Sequence, residues 1–218
     1  KTEFNPNDLI DYFLNRIGKK GTLIFPTFNW EFCKGIPFDY FNTTSTSGSL
    51  TKIALARKDC IRTKHPIYSF VTKGDDQEML YDLDDESGWG PNSLFAYFHE
   101  NNAKNLFIGI DYKVGFTYDH YFEEKVGVDY RYFKYFKAEY TDRDGNKSLK
   151  KYKMYVRDLE KKVVTGISDK MDSVLIEKKA YKKLFFEKIC FGLIDMKIAG
   201  DIMLEDIKNQ GMLIYPKK

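Results

Sequence analysis

Cysteine and net charge are both in short supply in this chain, and each shortage removes a class of protein. The three cysteines, Cys33, Cys60 and Cys190, are odd in number and far apart, with no Cys-x-x-Cys or Cys/His cluster. That excludes a disulfide scaffold, argues against a structural zinc site, and makes a reducing cytoplasm the expected location. Basic residues exceed acidic ones by only three, 35 against 32, too little for an obligate nucleic-acid binder. The longest apolar runs, such as Leu106 to Ile110, fall far short of the roughly 18 residues that span a bilayer. There is no Gly-rich phosphate loop and no Gly-x-Ser-x-Gly elbow, so the common NTPase, dinucleotide-binding and serine-hydrolase signatures are missing.

Apolar material is ample by contrast. With 43% hydrophobic residues over 218 positions, the chain can bury a core and is not disordered in the main. The size suits a single domain, 1–218, with a hairpin-bearing subregion at 126–160. Asn5, Pro6 and Gly18 frame a helix whose stripe is Leu9, Ile10, Phe13 and Ile17. A short strand, 22–25, ends at Pro26. The spacing then predicts helices over 49–58, 75–83 and 94–100, and strands over 67–71 and 105–110, the latter buried. Tyr130 to Tyr140 and Ser148 to Arg157 alternate around Asp144-Gly145, the pattern of an antiparallel hairpin. Beyond it the sequence reads as a Lys-rich helix (177–189), a strand (191–198), a helix (201–209) and a terminal strand (212–215). The expected fold is α/β, a layered mixed sheet flanked by helices and carrying the hairpin.

The chemistry concentrates in Thr117-Tyr-Asp-His120-Tyr-Phe-Glu123-Glu124. With Thr117 as N-cap, His120 falls in the first turn of a helix and Glu123 lies on the same face at i+3. A carboxylate so placed orients the imidazole and fixes its tautomer, as a general base requires. A His-x-x-Glu pair also arises by chance on helices that only pack. His65, before Pro66, reads equally as a turn or packing residue, and His99 as structural. No metal site is expected. The aromatic and basic alternation near Tyr130 is more simply an exposed hairpin face than a nucleic-acid platform.

In order and spacing, several segments together resemble one family. They are Gly21-Thr-Leu-Ile-Phe-Pro26-Thr27-Phe28, Phe38-Asp39, Thr43 to Leu50, Arg62-x-x-His65-Pro66-x-x-Ser69-Phe70, Gly90-Pro-Asn-Ser93, Thr117-x-x-His120-x-x-Glu123, and Arg131. The match, from about Gly21 to about Arg157, is to the antibiotic N-acetyltransferases, whose best-known members are the aminoglycoside 3-N-acetyltransferases. The resemblance implies a non-GNAT acetyltransferase fold, acetyl-CoA as co-substrate without a metal, and direct transfer to an amine. It implies His120 and Glu123 as the catalytic pair; such a reaction also needs an oxyanion site, for which Thr117 or the backbone N–H groups at the helix start are the candidates. Thr27, Arg62, His65, Ser69 and Phe70 would lie near the acyl donor.

For the acceptor, Trp30, Asp39, Asp119, Glu124 and Arg131 are the expected contacts. Carboxylates suit an aminoglycoside, and Arg131 and Arg157 suit the diphosphate of a nucleotide-linked amino sugar. The 130–134 and 155–157 runs resemble the family branch of surface-polysaccharide clusters, which places an amino sugar, free or nucleotide-linked, ahead of a resistance substrate. Two departures from the pattern stand out. Nothing corresponds to the family's N-terminal strand with its His-Ser-Ser loop, and Lys52 stands where the aminoglycoside enzymes tend to have an acid. The competing classes are a non-catalytic carbohydrate-binding relative and a His-Glu hydrolase. A small-molecule amine is the expected partner, with no nucleic acid and no membrane span, and a homodimer is compatible with the chain.

Overall fold

The computed structural model describes residues 5–163 and 166–211. In chain order its elements are α1 (Pro6–Ile17), β1 (Thr22–Pro26), β2 (Phe38–Asp39), α2 (Ser49–Ala56), β3 (Ile61–Arg62), β4 (Phe70–Gly74), α3 (Gln77–Asp82), α4 (Leu94–Glu100) and β5 (Lys104–Ile108). They continue with α5 (Asp119–Val126), β6 (Arg131–Thr141), β7 (Lys147–Arg157), α6 (Asp169–Glu177), β8 (Tyr181–Phe186), β9 (Ile189–Asp195) and α7 (Met196–Lys208). The α/β class holds. The strands form three three-stranded sheets, β1-β4-β3, β2-β6-β7 and β5-β9-β8. The parallel strand pair among the described residues is β2 with β6, at Phe38↔Tyr140 and Asp39↔Thr141. No described helix is long and apolar enough to cross a membrane.

Residues 1–88 with 135–153 make one compact unit, and residues 89–134 with 154–218 make another. In the first, Asn5 caps α1 by accepting from Asn7 N, and Gly18 ends it at φ 75°, a value open to glycine at no steric cost. The stripe of α1 delivers Ile10 to a core with Phe25, Ala54 and Val71. β1 and β4 run antiparallel from Thr22↔Gly74 to Pro26↔Phe70. That register moves the strand expected at 67–71 to 70–74. Residues 67–69 instead form an irregular segment, pinned to the loop after β1 by Thr27 N→Ser69 O and Asn29 N→Ile67 O.

In the second unit α7 supports α5. A Cβ on Gly200 would sit 2.5 Å from Phe122 Cζ and 2.8 Å from His99 Cδ2, so glycine is what lets the two helices approach. Tyr118 Oη donates to Met196 O at 3.0 Å. The strand expected to be buried, β5, is not: Leu106 is 40% exposed. Three further expectations shift here. The Lys-rich stretch 177–189 is no helix, because Lys179 takes φ 59° just after α6 and β8 then pairs with β9 from Tyr181↔Ile194 to Phe186↔Ile189. The next strand begins at Ile189, and α7 begins at Met196, where Asp195 accepts from Ile198 N as its cap. The terminal strand expected at 212–215 lies outside the described residues.

Candidate active site

Helix α5 places the key pair. Its N-cap is Tyr118, with no side-chain cap, so Thr117 does not cap the helix. The chain is still in a turn there, with Thr117 N donating to Gly115 O. His120 remains in the first turn. One helical step brings its Nδ1 to 2.7 Å from Glu123 Oε2. Gly127, left-handed at φ 73°, closes α5 by donating to the Glu123 and Glu124 carbonyls, a C-cap that turns the chain toward β6.

The first residue of β6 completes the cluster. Arg131 Nε lies 2.7 Å from Glu123 Oε2. Its Nη2 is 3.1 Å from His120 Nδ1, and its Nη1 donates to Tyr155 O at 3.0 Å. Tyr130 hydrogen-bonds Glu123 as well, and burial followed by the Glu123 charge holds its phenol above the ordinary range. The Glu123 side chain is wholly buried, so its charge depends on these partners. Burial pushes the Asp119 carboxyl up, His120 and Arg131 oppose this, and Glu123 reinforces it. Asp119 Oδ2 sits 3.4 Å from His120 Nδ1. The Trp89 ring meets the imidazole edge-to-face at 5.0 Å. Asp119, His120 and Glu123 are close enough together to hold a metal ion, but the Arg131 guanidinium already stands against the carboxylate as its counter-cation.

The imidazole is therefore held at one nitrogen and available at the other. Nδ1 faces the carboxylate, and Nε2 has no hydrogen-bond partner among the described residues. An Nδ1–H···Oε2 bond leaves a lone pair on Nε2, which can accept a proton.

The residues expected near the donor gather in the other unit, around a buried cation. Arg62 is 2% exposed. Its Nη1 donates to Thr43 O at 2.6 Å, its Nε to Ser69 Oγ at 3.1 Å and its Nη2 to Thr27 O at 3.4 Å. Thr27 and Ser69 have no exposed surface, and their hydroxyls meet at 2.8 Å. Phe70 is buried against Phe28. Thr27, Arg62, Ser69 and Phe70 are thus buried together in the scaffold of this unit. They fix the backbone of the loops at 27–29 and 43–46.

His65 belongs to the same scaffold. Its Nδ1 accepts from Ile67 N at 3.2 Å and Tyr68 N at 3.0 Å, so its proton is on Nε2, and burial pushes its pKa down to about 3. The unfolded chain, titrating near 6.5, binds this proton first. Stability is therefore full above pH 6.5 and falls as the pH drops toward 3. Asn at this position supplies an acceptor oxygen in place of Nδ1. His65→Asn is expected to flatten the decline of Tm between pH 6.5 and 4. His65→Ala, which orphans two N–H groups, should cost about 1–3 kcal/mol at every pH. Equal slopes for wild type and His65→Asn would refute the assignment.

Of the acceptor residues, Trp30 stands 41% exposed beside Phe28 and Tyr68, a surface on which a sugar ring can stack. Asp39 is engaged in its own turn: burial raises its pKa, but the Asn42 and Phe41 donors outweigh that and hold it low, because its Oδ1 accepts from both backbone N–H groups. The Arg131 side chain is 6% exposed and paired with Glu123. Asp119 is buried and Glu124 half-buried on α5. Sequence reasoning missed Tyr130 and Trp89. The available signals were the short Gly127-Val-Asp spacer that returns Tyr130-Arg131 to α5, and the tryptophan inside the GWGPNS turn.

Comparison with known proteins bears on what this arrangement serves. Residues 1–189 match the family profile described as aminoglycoside 3-N-acetyltransferase. No curated protein sequence matches. Among solved structures, the aminoglycoside acetyltransferase AAC(3)-Xa superposes with a TM-score of 0.78 at 17% identity, covering 97% of this chain and 82% of that one. AAC-IIIb in its binary form with CoASH gives 0.77 at 14% identity, over 94% and 84%. YokD from Bacillus subtilis gives 0.73 at 18%, over 94% and 80%. At such identities the structures speak to the fold, and the profile match speaks to descent: the chain belongs to the aminoglycoside 3-N-acetyltransferase family, a family of enzymes that transfer acetyl groups to amines.

Proposed function

We propose that this protein is an acetyl-CoA-dependent N-acetyltransferase acting on the amine of an amino sugar, with His120 as general base oriented by Glu123. The observation that carries the reading is the 2.7 Å Nδ1···Oε2 contact, with Nε2 unpartnered among the described residues. Family membership supplies the reaction class, and the relative AAC-IIIb with CoASH supports the donor. His120 Nε2 takes a proton from the amine as its nitrogen bonds the thioester carbonyl carbon. When the C–S bond breaks, the imidazolium returns that proton to the departing thiolate, so amine and thioester become amide and free thiol. Glu123 stabilises the imidazolium between the two transfers. Thr117, half-buried just before α5, or the backbone N–H groups at the helix start would serve the oxyanion. The base contributes about 10²- to 10⁴-fold, and positioning supplies much of the remainder.

A second reading, an aminoglycoside acceptor, gains from the engagement of Arg131 with Glu123. That pairing leaves exposed Arg157 as the remaining arginine considered for a diphosphate, whereas an unlinked amino sugar needs neither. Thiol release from acetyl-CoA should be followed with aminoglycosides, free amino sugars and nucleotide-linked amino sugars. Release that requires an acceptor is expected, and the preferred acceptor separates the two readings. Release that no amine raises above background would refute both.

A further inference from the structure

Nδ1 of His120 has three polar neighbours, not the single carboxylate of a simple dyad. Glu123 Oε2 is at 2.7 Å, Arg131 Nη2 at 3.1 Å and Asp119 Oδ2 at 3.4 Å. One nitrogen cannot both donate to Glu123 and accept from Arg131. The shorter contact is to an anion, and charge-assisted hydrogen bonds of this kind are the stronger ones. Arg131 then stands beside the protonated nitrogen as a cation and not as a donor. It is held there by the Tyr155 carbonyl and by Glu123 Oε2, at the first position of β6.

We infer that Arg131 is a positioning residue that locks His120 as the Nδ1–H tautomer and, as a cation beside that nitrogen, opposes a second proton on the ring. The inference rests on His120 being the base of the proposed reaction. A buried carboxylate alone would favour the imidazolium and trap the proton. The guanidinium offsets that charge, with its Nε 2.7 Å from Oε2. Asp119 and Glu123 from α5, Arg131 from β6, and Tyr130 through Glu123 are the titratable and charged groups facing the ring, and Trp89 covers it.

The chain has three histidines, so side-chain nitrogen NMR can follow each one, with His120→Ala assigning the signal. In the wild type His120 should show hydrogen on Nδ1, and finding it on Nε2 would overturn the inference without any variant. In Arg131→Met the titration midpoint of His120 should rise by about 1–3 pH units, and Arg131→Lys should recover most of that rise. An unchanged midpoint in folded Arg131→Met would refute the role. Where activity is measurable, the acid limb of kcat/KM should move with the midpoint. The tautomer and titration need no substrate, so their agreement without any acetyl transfer would count against the proposed function and not against this assignment.

Discussion

His120→Ala is expected to lower kcat by about 10²- to 10⁴-fold, with the fold and the donor affinity largely preserved. The side chain is 23% exposed, it caps no helix, and its contacts are to groups that retain one another when it is removed. Glu123 keeps Arg131 and Tyr130, so no buried charge is left alone. The acid limb of the pH–rate profile should vanish in the variant, because it reports protonation of the base. Added imidazole, placed in the space the ring vacates against Trp89, should restore part of the rate. Steady-state kinetics with the preferred acceptor, together with a thermal melt, tests this. Activity within threefold of wild type would sink the catalytic role of His120. Thiol release that persists without acceptor, and is abolished by the variant, would point to a hydrolase.

The pairing of His120 with Glu123 was legible in the sequence because it is a local property. Three residues on a helix subtend about 300°, so i and i+3 share a face whatever the tertiary structure does. The same holds for Asn5 and Gly18 at the ends of α1 and for the alternation of the hairpin. What sequence did not disclose depends on partners distant in the chain. Arg131 was expected as a diphosphate contact because arginine suits phosphate recognition. Only the turn at Gly127 and the Tyr155 carbonyl draw it onto Glu123. Likewise, only the folded structure shows that Arg62 holds loop carbonyls and Asp39 its own turn. The error at 177–189 has a different source. Tyr181-Lys-Lys-Leu-Phe-Phe carries enough lysine to read as one face of a helix, and only the pairing with β9 resolves the period in favour of a strand.

The second large effect should appear in stability. Glu123→Ala removes the buried anion shared by Arg131, Tyr130 and His120 and leaves a guanidinium whose side chain is 6% exposed without its carboxylate. Breaking a buried pair in this way typically costs about 3–5 kcal/mol, and for a chain of this length each kcal/mol lowers Tm by roughly 2–4 °C. A fall of roughly 6–20 °C is therefore expected, larger than for any change at His120. Adding Arg131→Met should recover most of that loss, since an apolar pair leaves no uncompensated charge. Activity should not return with it, because the ring would then lack both the acceptor that fixes its tautomer and the cation beside it. Thermal melts and kcat of the single and double variants form one cycle. Full additivity of the two substitutions in Tm would mean that Arg131 and Glu123 do not depend on each other. Restored activity in the double variant would mean that His120 needs no carboxylate, and the orientation ascribed to Glu123 would fall.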